Sequence, residues 1–261
     1  MIDTPLIRID RHESGVVEVV LDRPEAMNAV STQMATALTA AGGALADDTS
    51  VRAVVLTSSH DKAFCVGADL KERNGFTDEQ LRAQRPGNRL AYRALLDLPV
   101  PTIAAVDGYA MGGGCELALA CDLIVAGPRA LFALPEVSVG VIPGGGGTQL
   151  LTRRIGWSRA ADLIFTARRV DGEEALRLGL ADRLVDDAKG EALAMAATIA
   201  QHSPVGMRNA KAAMRGGLDL TLDEGLDLED ARWHDTAFSA DRAEGVRAFA
   251  EKRTPDWPGL G

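Results

Sequence analysis

A run of glycines and two carboxylates lie near one another in the middle of this 261-residue chain. The glycines at 112–114 follow an apolar run at 103–106 and lead into Glu116, which lies on a predicted helix. Glu136 follows in a mostly apolar setting, where an unpaired carboxylate is costly. A helix that begins with glycines presents free backbone N–H groups to an oxygen that gains negative charge. The stretch therefore predicts a site where amides stabilise an anion and two acids transfer protons.

Residues 63–70 form a second segment of this kind, in which Gly67 and Ala68 can place a backbone N–H group at a ligand oxygen. Asp69 can cap the helix that follows. An oxyanion hole needs two convergent donors, and both glycine segments follow predicted parallel strands. Because loops at the same edge of one sheet can meet, we expect the two segments to converge.

Each of these features also has a purely structural explanation. A glutamate in the first turn of a helix is favoured by the helix dipole, Glu136 fits a surface turn, and Gly67 fits an ordinary turn. The glycines at 144–147 do not form a nucleotide-binding P-loop, because Thr148 and Gln149 stand where that motif needs lysine and serine or threonine. We interpret them as a tight passage that starts the next helix.

The cysteines, Cys65, Cys115 and Cys121, are too few and too irregularly spaced for a disulfide framework or a zinc site. We predict that they are small buried hydrophobic residues and that the protein has no metal site. A thiol nucleophile stays open as an alternative, since Cys65 and Cys115 adjoin the glycine segments. The four histidines are scattered, and none lies nearby in sequence to activate a thiol.

Composition excludes several classes of protein. The chain is 46% hydrophobic, and its 28 basic and 37 acidic residues give a net charge of −9, which opposes binding to nucleic acid. No apolar window approaches the roughly 20 residues of a membrane span, and residues 1–5 lack the pattern of a signal peptide. We therefore expect a soluble, cytoplasmic protein with no nucleic-acid or membrane partner.

The elements that must position the site alternate between strands and helices. Strands are predicted at residues 16–21, 51–56, 103–106 and 123–126, and Ser31 should cap a helix that runs to about residue 46. This order favours an α/β fold with a largely parallel sheet covered on both faces. The polar segment 72–87 contains glycine and proline, which predicts a mobile loop or a short helix.

Helices are predicted almost throughout the last part of the chain, at 148–155, 158–166, 172–178, 189–201, 205–215, 223–238 and 241–252. A strand-rich first part and a helical last part suggest two units. We expect residues 1–200 to form the catalytic core and residues 201–261 to form a helical assembly segment.

Together these motifs resemble the crotonase superfamily, and enoyl-CoA hydratases most of all. The resemblance is carried by long ordered segments: LDRP at 21–24, AFCVGADL at 63–70, DGYAMGGGCELA at 107–118, the stretch 132–147 and EGVRAFAEKR at 244–253. It covers nearly the whole chain. It implies a ββα spiral core with a C-terminal helical trimerisation segment, assembled as a homotrimer or homohexamer.

The resemblance also assigns roles to residues. The N–H groups of Ala68 and Gly113 would hold the thioester oxygen of an acyl-CoA, while Glu116 and Glu136 would position and split water. Coenzyme A would be part of the substrate, and no separate cofactor is expected. Further contacts to the substrate are expected from Ala26, Ala63, Val66, Gly67, Asp69, Leu70, Lys71, Gly112, Leu134, Phe249 and Lys252.

The presence of both glutamates favours hydration of a 2-trans-enoyl-CoA to a 3-hydroxyacyl-CoA. Double-bond isomerisation and dehydration of an acyl-CoA are the alternatives within the family, and a non-catalytic RNA-binding or scaffold relative is disfavoured by the charge of −9. One departure from the family pattern is Leu134, where the mitochondrial hydratase has a glutamine. It leaves the acyl group that the pocket accepts unspecified.

Overall fold

The structure, a computed structural model, describes residues 6–259. The expectation about a signal peptide concerns residues 1–5 and lies outside the described residues. The strands in the described range are β1 (Ile7–Arg11), β2 (Val16–Leu21), β3 (Ala53–Ser58), β4 (Ala63–Cys65), β5 (Thr102–Val106), β6 (Tyr109–Met111), β7 (Leu123–Ala126), β8 (Leu131–Ala133), β9 (Val170–Asp171) and β10 (Arg183–Leu184).

Helices cover most of the remaining chain. They are α1 (Thr32–Asp47), α2 (Leu70–Arg73), α3 (Asp78–Leu96), α4 (Gly113–Leu119), α5 (Gly147–Ile155), α6 (Trp157–Thr166), α7 (Gly172–Leu178), α8 (Ala188–Ala200), α9 (Pro204–Gly217), α10 (Leu222–Ala237) and α11 (Ala240–Glu251). Short 3-10 turns lie at Pro24–Ala26 and Glu136–Val139. The predicted helices after residue 147 are confirmed to within about two residues at each end.

Two sheets form the core. The larger has the order β1-β2-β3-β5-β7-β10, with β1 antiparallel to β2 and the other neighbours parallel. The smaller has the order β4-β6-β8-β9, with only β9 antiparallel to its neighbour. Three successive chain segments, with strands β3–β4, β5–β6 and β7–β8, each contribute one strand to each sheet and lead into helical structure, so the expected ββα spiral is confirmed. The sequence did not reveal the smaller sheet.

The inner strands of the larger sheet are mostly apolar because both of their faces are covered. Strands β2 and β3 are buried almost throughout, as a parallel sheet between helical layers requires. On one face α8 packs against a cluster that includes Val55 and Ile103. On the other face α1 packs, and its N-cap Ser31 accepts a hydrogen bond from the Met34 amide at 3.2 Å.

The prediction of a loop or short helix at 72–87 was wrong for most of that segment. Helix α2 is short, but α3 begins at Asp78 and runs through Pro86. Its start is fixed by a capping box in which Thr77 and Gln80 satisfy each other's backbone amides. A buried face then packs α3 against α1 and outweighs the cost of the proline.

Helix α9 is tied to the core through a buried ion pair. The Lys211 ammonium lies 2.6 Å from the Asp122 carboxylate at the start of β7, and Arg215 lies 2.9 Å from the same carboxylate. Burial opposes the charge on Asp122, but the Lys211 ammonium holds its pKa below the usual value. The division of the chain at residue 200 stays a prediction.

No helix between residues 6 and 259 has the length and hydropathy needed to cross a bilayer. The same range contains no group of three or more histidine, cysteine, aspartate or glutamate side chains arranged to bind a metal ion.

Candidate active site

A cavity of about 520 Å³ lies where the chain leaves β4, β6 and β8 at their carboxyl ends. Its walls come from the segments that follow these strands, from one face of α3 and from the loop at 138–145. Of the predicted site residues, the cavity brings together Val66, Gly67, Ala68, Leu70, Gly112, Gly113, Glu116 and Glu136. The two glycine segments therefore converge as expected, although they follow strands of the smaller sheet.

The two segments touch at Gly67. This residue has φ +91°, and a Cβ atom on it would lie 2.7 Å from the Met111 carbonyl oxygen and 3.0 Å from the Gly113 nitrogen. Glycine is thus required both by the backbone conformation and by the close approach. Because the segments are in contact at this point, the amides of Ala68 and Gly113 lie near each other at the cavity wall.

The Ala68 peptide is held on both sides. The Val30 amide donates to the Gly67 carbonyl at 2.7 Å, and the Asp69 amide donates to the Val30 carbonyl at 3.0 Å. Within residues 6–259, neither the Ala68 N–H nor the Gly113 N–H donates to another protein group. Two backbone donors are therefore available to one ligand oxygen, which is the requirement for an oxyanion hole.

Asp69 supports this segment. Its carboxylate caps α2 through the Lys71 and Glu72 amides and lies 2.7 Å from the Arg23 guanidinium. Burial opposes the charge, but the Glu72 amide and Arg23 hold the pKa of Asp69 below its usual value. The predicted capping role is confirmed. These protein partners make Asp69 a residue that fixes the loop, and its predicted contact with substrate stays untested.

Glu116 lies in the first turn of α4 and is 3% exposed. Its Oε1 atom accepts hydrogen bonds from the Gly145 amide at 2.6 Å and from the Gly147 amide at 2.8 Å. Burial raises the pKa of Glu116, while these amides and the nearby Arg85 guanidinium oppose the rise. The glycine loop at 144–147 thus does more than start α5. It forms a concave set of amides that holds one oxygen of the carboxylate.

Glu136 also lines the cavity, next to Gly112, and has a different environment. A Cβ atom on Gly112 would lie 2.9 Å from its Oε1 atom, and its Oε2 atom is buried without a hydrogen-bond partner in the described residues. Burial raises the pKa of Glu136 to about 7, and the negative charge of Glu116 adds to the rise. Burial thus raises the pKa of both acids, but only Glu116 has backbone amides that stabilise its charged form from another loop.

Tyr92, on α3, is a site residue that the sequence analysis missed. A Cβ atom on Gly145 would lie 2.7 Å from its ring, and one on Gly113 would press on its hydroxyl oxygen. Burial raises the pKa of Tyr92, and Glu116 adds to the rise, so the hydroxyl stays protonated at neutral pH. The sequence does contain a signal for this wall: Leu81, Arg85, Asn88 and Tyr92 are spaced so that they lie on one face of a helix. This signal can be used only if residues 78–96 are first predicted to be helical.

The remaining predicted residues do not line the cavity. Ala63 and Leu134 are buried behind it, and Leu134 packs against Gly147. Ala26 ends a short 3-10 turn, and Lys71 is exposed on α2. Phe249 is 88% exposed on α11, and Lys252 follows the end of that helix with φ +55°. Their predicted contacts with coenzyme A stay predictions.

The structure agrees with the prediction that the cysteines are small buried residues. All three are buried, and burial raises the pKa of Cys65 to about 12 and that of Cys121 to about 12. Burial likewise raises the pKa of Cys115. The thiolate is the nucleophilic form, and it is suppressed in these positions. Burial therefore argues against a cysteine nucleophile and supports the structural role.

The amide contacts of Glu116 lead to a testable pH effect. In Gly147→Ala the new Cβ would lie 2.9 Å from the Pro143 Cβ and 3.0 Å from the Glu116 Oε1 atom, so the carboxylate and the loop must shift apart and the two amide hydrogen bonds weaken. Weaker hydrogen bonds to the charged form raise a carboxyl pKa. We expect the acid limb of the kcat/KM profile against pH to move to higher pH. Gly225→Ala, in open space on α10, is the control and should leave the limb in place.

Comparisons with known proteins agree with this geometry. Residues 11–259 match the family described as Enoyl-CoA hydratase/isomerase. A probable mitochondrial enoyl-CoA hydratase 2 of Arabidopsis thaliana is 40% identical over 97% of this chain and 85% of that protein. The mitochondrial methylglutaconyl-CoA hydratase of Mus musculus is 41% identical over 96% and 82%.

A solved structure shows the same fold. The enoyl-CoA hydratase of Bacillus anthracis superposes with a TM-score of 0.95 at 38% identity, over 98% of this chain and 100% of that one. The matches extend over nearly the full length and include the segments that form the cavity. The chain therefore belongs to the enoyl-CoA hydratase/isomerase family, within the crotonase superfamily.

Proposed function

We propose that this enzyme adds water reversibly across the C2–C3 double bond of a 2-trans-enoyl-CoA to give a 3-hydroxyacyl-CoA. One observation carries the proposal: Glu116 and Glu136 face a single cavity whose wall also offers the free amides of Ala68 and Gly113. Membership of the family makes an acyl-CoA thioester the substrate, and relatives of about 40% identity are named hydratases.

The site suggests how the atoms move. The Ala68 and Gly113 amides bind the thioester oxygen and stabilise the enolate, each donor being worth roughly 3 kcal/mol in such sites. The Glu116 carboxylate, whose Oε1 atom is oriented by the Gly145 and Gly147 amides, takes a proton from water as the hydroxyl oxygen bonds to C3. The Glu136 carboxyl, with a pKa raised to about 7, gives its proton to C2. The product thus gains one water, and the two carboxyls have exchanged protonation states.

The direct test uses purified protein and a series of 2-trans-enoyl-CoA esters of increasing chain length. Hydration removes the conjugated thioester, so its ultraviolet absorbance should fall, and the product should be heavier by one water. An isomerase would leave the mass unchanged. The proposal is wrong if CoA esters bind but none of the series is hydrated.

The assembly is part of the proposal. A homotrimer, or a homohexamer formed by two trimers, is supported by large exposed apolar side chains on the C-terminal helices, including Leu222, Trp233, Phe238 and Phe249. In such an assembly Phe249 and Lys252 would reach the nucleotide end of coenzyme A across a subunit boundary. Light scattering should give three or six times the mass of one chain, and a monomer at working concentration would contradict this.

We propose a cytoplasmic location, although both relatives compared in sequence are named mitochondrial, and imaging of a tagged chain in its own cell would decide. We also propose that no cofactor is needed beyond the coenzyme A of the substrate. Activity should then survive exhaustive dialysis against a chelator, and restoration of lost activity by a metal or cofactor would contradict it.

A further inference from the structure

Tyr92 carries a hydroxyl group that the proposed mechanism does not use. The side chain is 7% exposed and lines the cavity from α3. Its oxygen opens onto the cavity, and between residues 6 and 259 it forms no hydrogen bond with a protein group. The hydroxyl is therefore available to a ligand bound in the cavity.

This hydroxyl lies at the Gly113 end of the oxyanion hole. Gly113 is the first residue of α4, and a Cβ atom on it would press on the Tyr92 oxygen. In a helix the Cα–Cβ bond is tilted toward the N-terminal end, which is also the direction in which the N–H groups point. The Tyr92 hydroxyl and the Gly113 N–H therefore lie on the same side of this residue, where the thioester oxygen would bind.

The Tyr92 ring is held in place by the glycine loop at 144–147. A Cβ atom on Gly145 would lie 2.7 Å from the ring, and the Gly145 amide donates to the Glu116 carboxylate at 2.6 Å. Burial raises the pKa of Tyr92, so the phenol keeps its proton at neutral pH. A donor that is already fixed and protonated stabilises a developing negative charge without having to reorganise.

The two catalytic carboxylates are not the partners of this hydroxyl. The Oε1 atom of Glu116 accepts from two backbone amides, and the Oε2 atom of Glu136 is buried without a partner. In the part of the chain that the structure describes, Tyr92 forms no hydrogen bond with either acid. Its hydroxyl is thus not placed to orient a carboxylate.

We propose that the Tyr92 hydroxyl is a third donor to the thioester oxygen, beside the amides of Ala68 and Gly113. The inference rests on the proposed hydratase function and names a further catalytic residue of the same site. The hydroxyl keeps its proton throughout the reaction. Its hydrogen bond strengthens as the thioester oxygen gains negative charge in the enolate.

The first test is Tyr92→Phe, which keeps the ring and removes only the hydroxyl. We expect kcat for hydration of 2-hexenoyl-CoA to fall at least about tenfold, with much less change in KM, because the hydrogen bond is strongest in the transition state. Tyr109→Phe is the matched control, because this exposed tyrosine does not line the cavity, and it should leave both constants unchanged. Thermal melting checks that Tyr92→Phe still packs.

The second test reports on the thioester oxygen directly. The probe is 2,4-hexadienoyl-CoA, a conjugated thioester whose absorbance moves to longer wavelength when its carbonyl oxygen accepts hydrogen bonds. Glu136→Gln should bind it with little turnover, and we expect a red shift on binding. The shift should be smaller in the double variant Glu136→Gln/Tyr92→Phe, whereas a merely structural role of Tyr92 would leave it unchanged.

The outcomes separate the possibilities. An unchanged kcat in Tyr92→Phe would overturn the proposal. A fall in kcat with an unchanged red shift would assign the hydroxyl to the attacking water and overturn it as well. If the wild-type enzyme hydrates no enoyl-CoA, the failure belongs to the proposed function, and the spectral test, which needs only binding, still decides whether Tyr92 contacts the thioester.

Discussion

Glu136→Gln should hydrate enoyl-CoA at least about a hundredfold more slowly than the wild-type enzyme, and it should also be more stable above pH 7. The first effect follows because glutamine cannot give a proton to C2. The second follows from the environment of the side chain: one carboxylate oxygen is buried without a partner, and burial raises the pKa from 4.5 to about 7. The native state therefore disfavours the charged form.

The sign of the pH dependence follows from proton linkage. A carboxyl whose pKa is higher in the folded than in the unfolded chain contributes stability below the unfolded value, and this contribution is lost as the pH rises through the folded value. For Glu136 the loss falls between pH 4.5 and about 7. Glutamine does not titrate, so the variant should not lose this stability as the pH rises.

Urea midpoints at pH 5 and pH 8 measure the second effect. The difference between variant and wild type should be larger at pH 8. Glu25→Gln, on an exposed turn, is the control and should change neither the rate nor the pH dependence of stability. A near-wild-type rate in Glu136→Gln would remove this residue from the mechanism. Glu116→Gln should show a rate loss of similar size.

Gly114→Ala should abolish most activity by separating the two oxyanion donors. A Cβ atom at this position would overlap the backbone carbonyl of Cys65, and no side-chain rotation can relieve that contact. Either α4 or the segment after β4 must then move. Since each donor must be placed within a few tenths of an ångström, we expect a fall in kcat of at least about a hundredfold and a loss of stability.

Gly43→Ala provides the contrast. Gly43 lies within α1, and its Cβ would meet no atom within 4 Å, so this variant should be slightly more stable and fully active. For Gly114→Ala, kcat at saturating substrate and the thermal midpoint are both measured. An active, stable enzyme would show that the contact between the two glycine segments does not position the donors.

Long apolar runs and helix caps could be predicted from the sequence because each leaves a pattern over many residues. The strands β2, β3, β5 and β7 were found in this way, as was the cap at Ser31. Strands such as β4, β6 and β8 have three residues each, and such short segments show no periodicity. The smaller sheet, whose strands lead into the site, could therefore not be predicted from the sequence.

The candidate site could likewise be predicted from the sequence only in part. Glu116, Glu136 and the two glycine segments stand out because their residue types are unusual for their surroundings. The wall formed by α3 could not be predicted, because glycine and proline in 72–87 indicated a loop while the packing that overrides them is tertiary. The use of the glycines at 144–147 as donors to Glu116 depends on a contact across about 30 residues of chain, which no local pattern shows.

A bulge in strand β4 of the smaller sheet limits where this chain can tolerate insertions and deletions. Between Ala63 and Cys65 strand β4 advances by two residues while β6 advances by one, from Tyr109 to Ala110. Such a bulge changes the direction of the chain that follows it, which here is the segment that carries the Ala68 amide. Deleting or inserting one residue between positions 63 and 67 would turn that amide away from the cavity. Variation in chain length among relatives should therefore spare this segment and fall in places such as the turn at 74–77 that precedes α3.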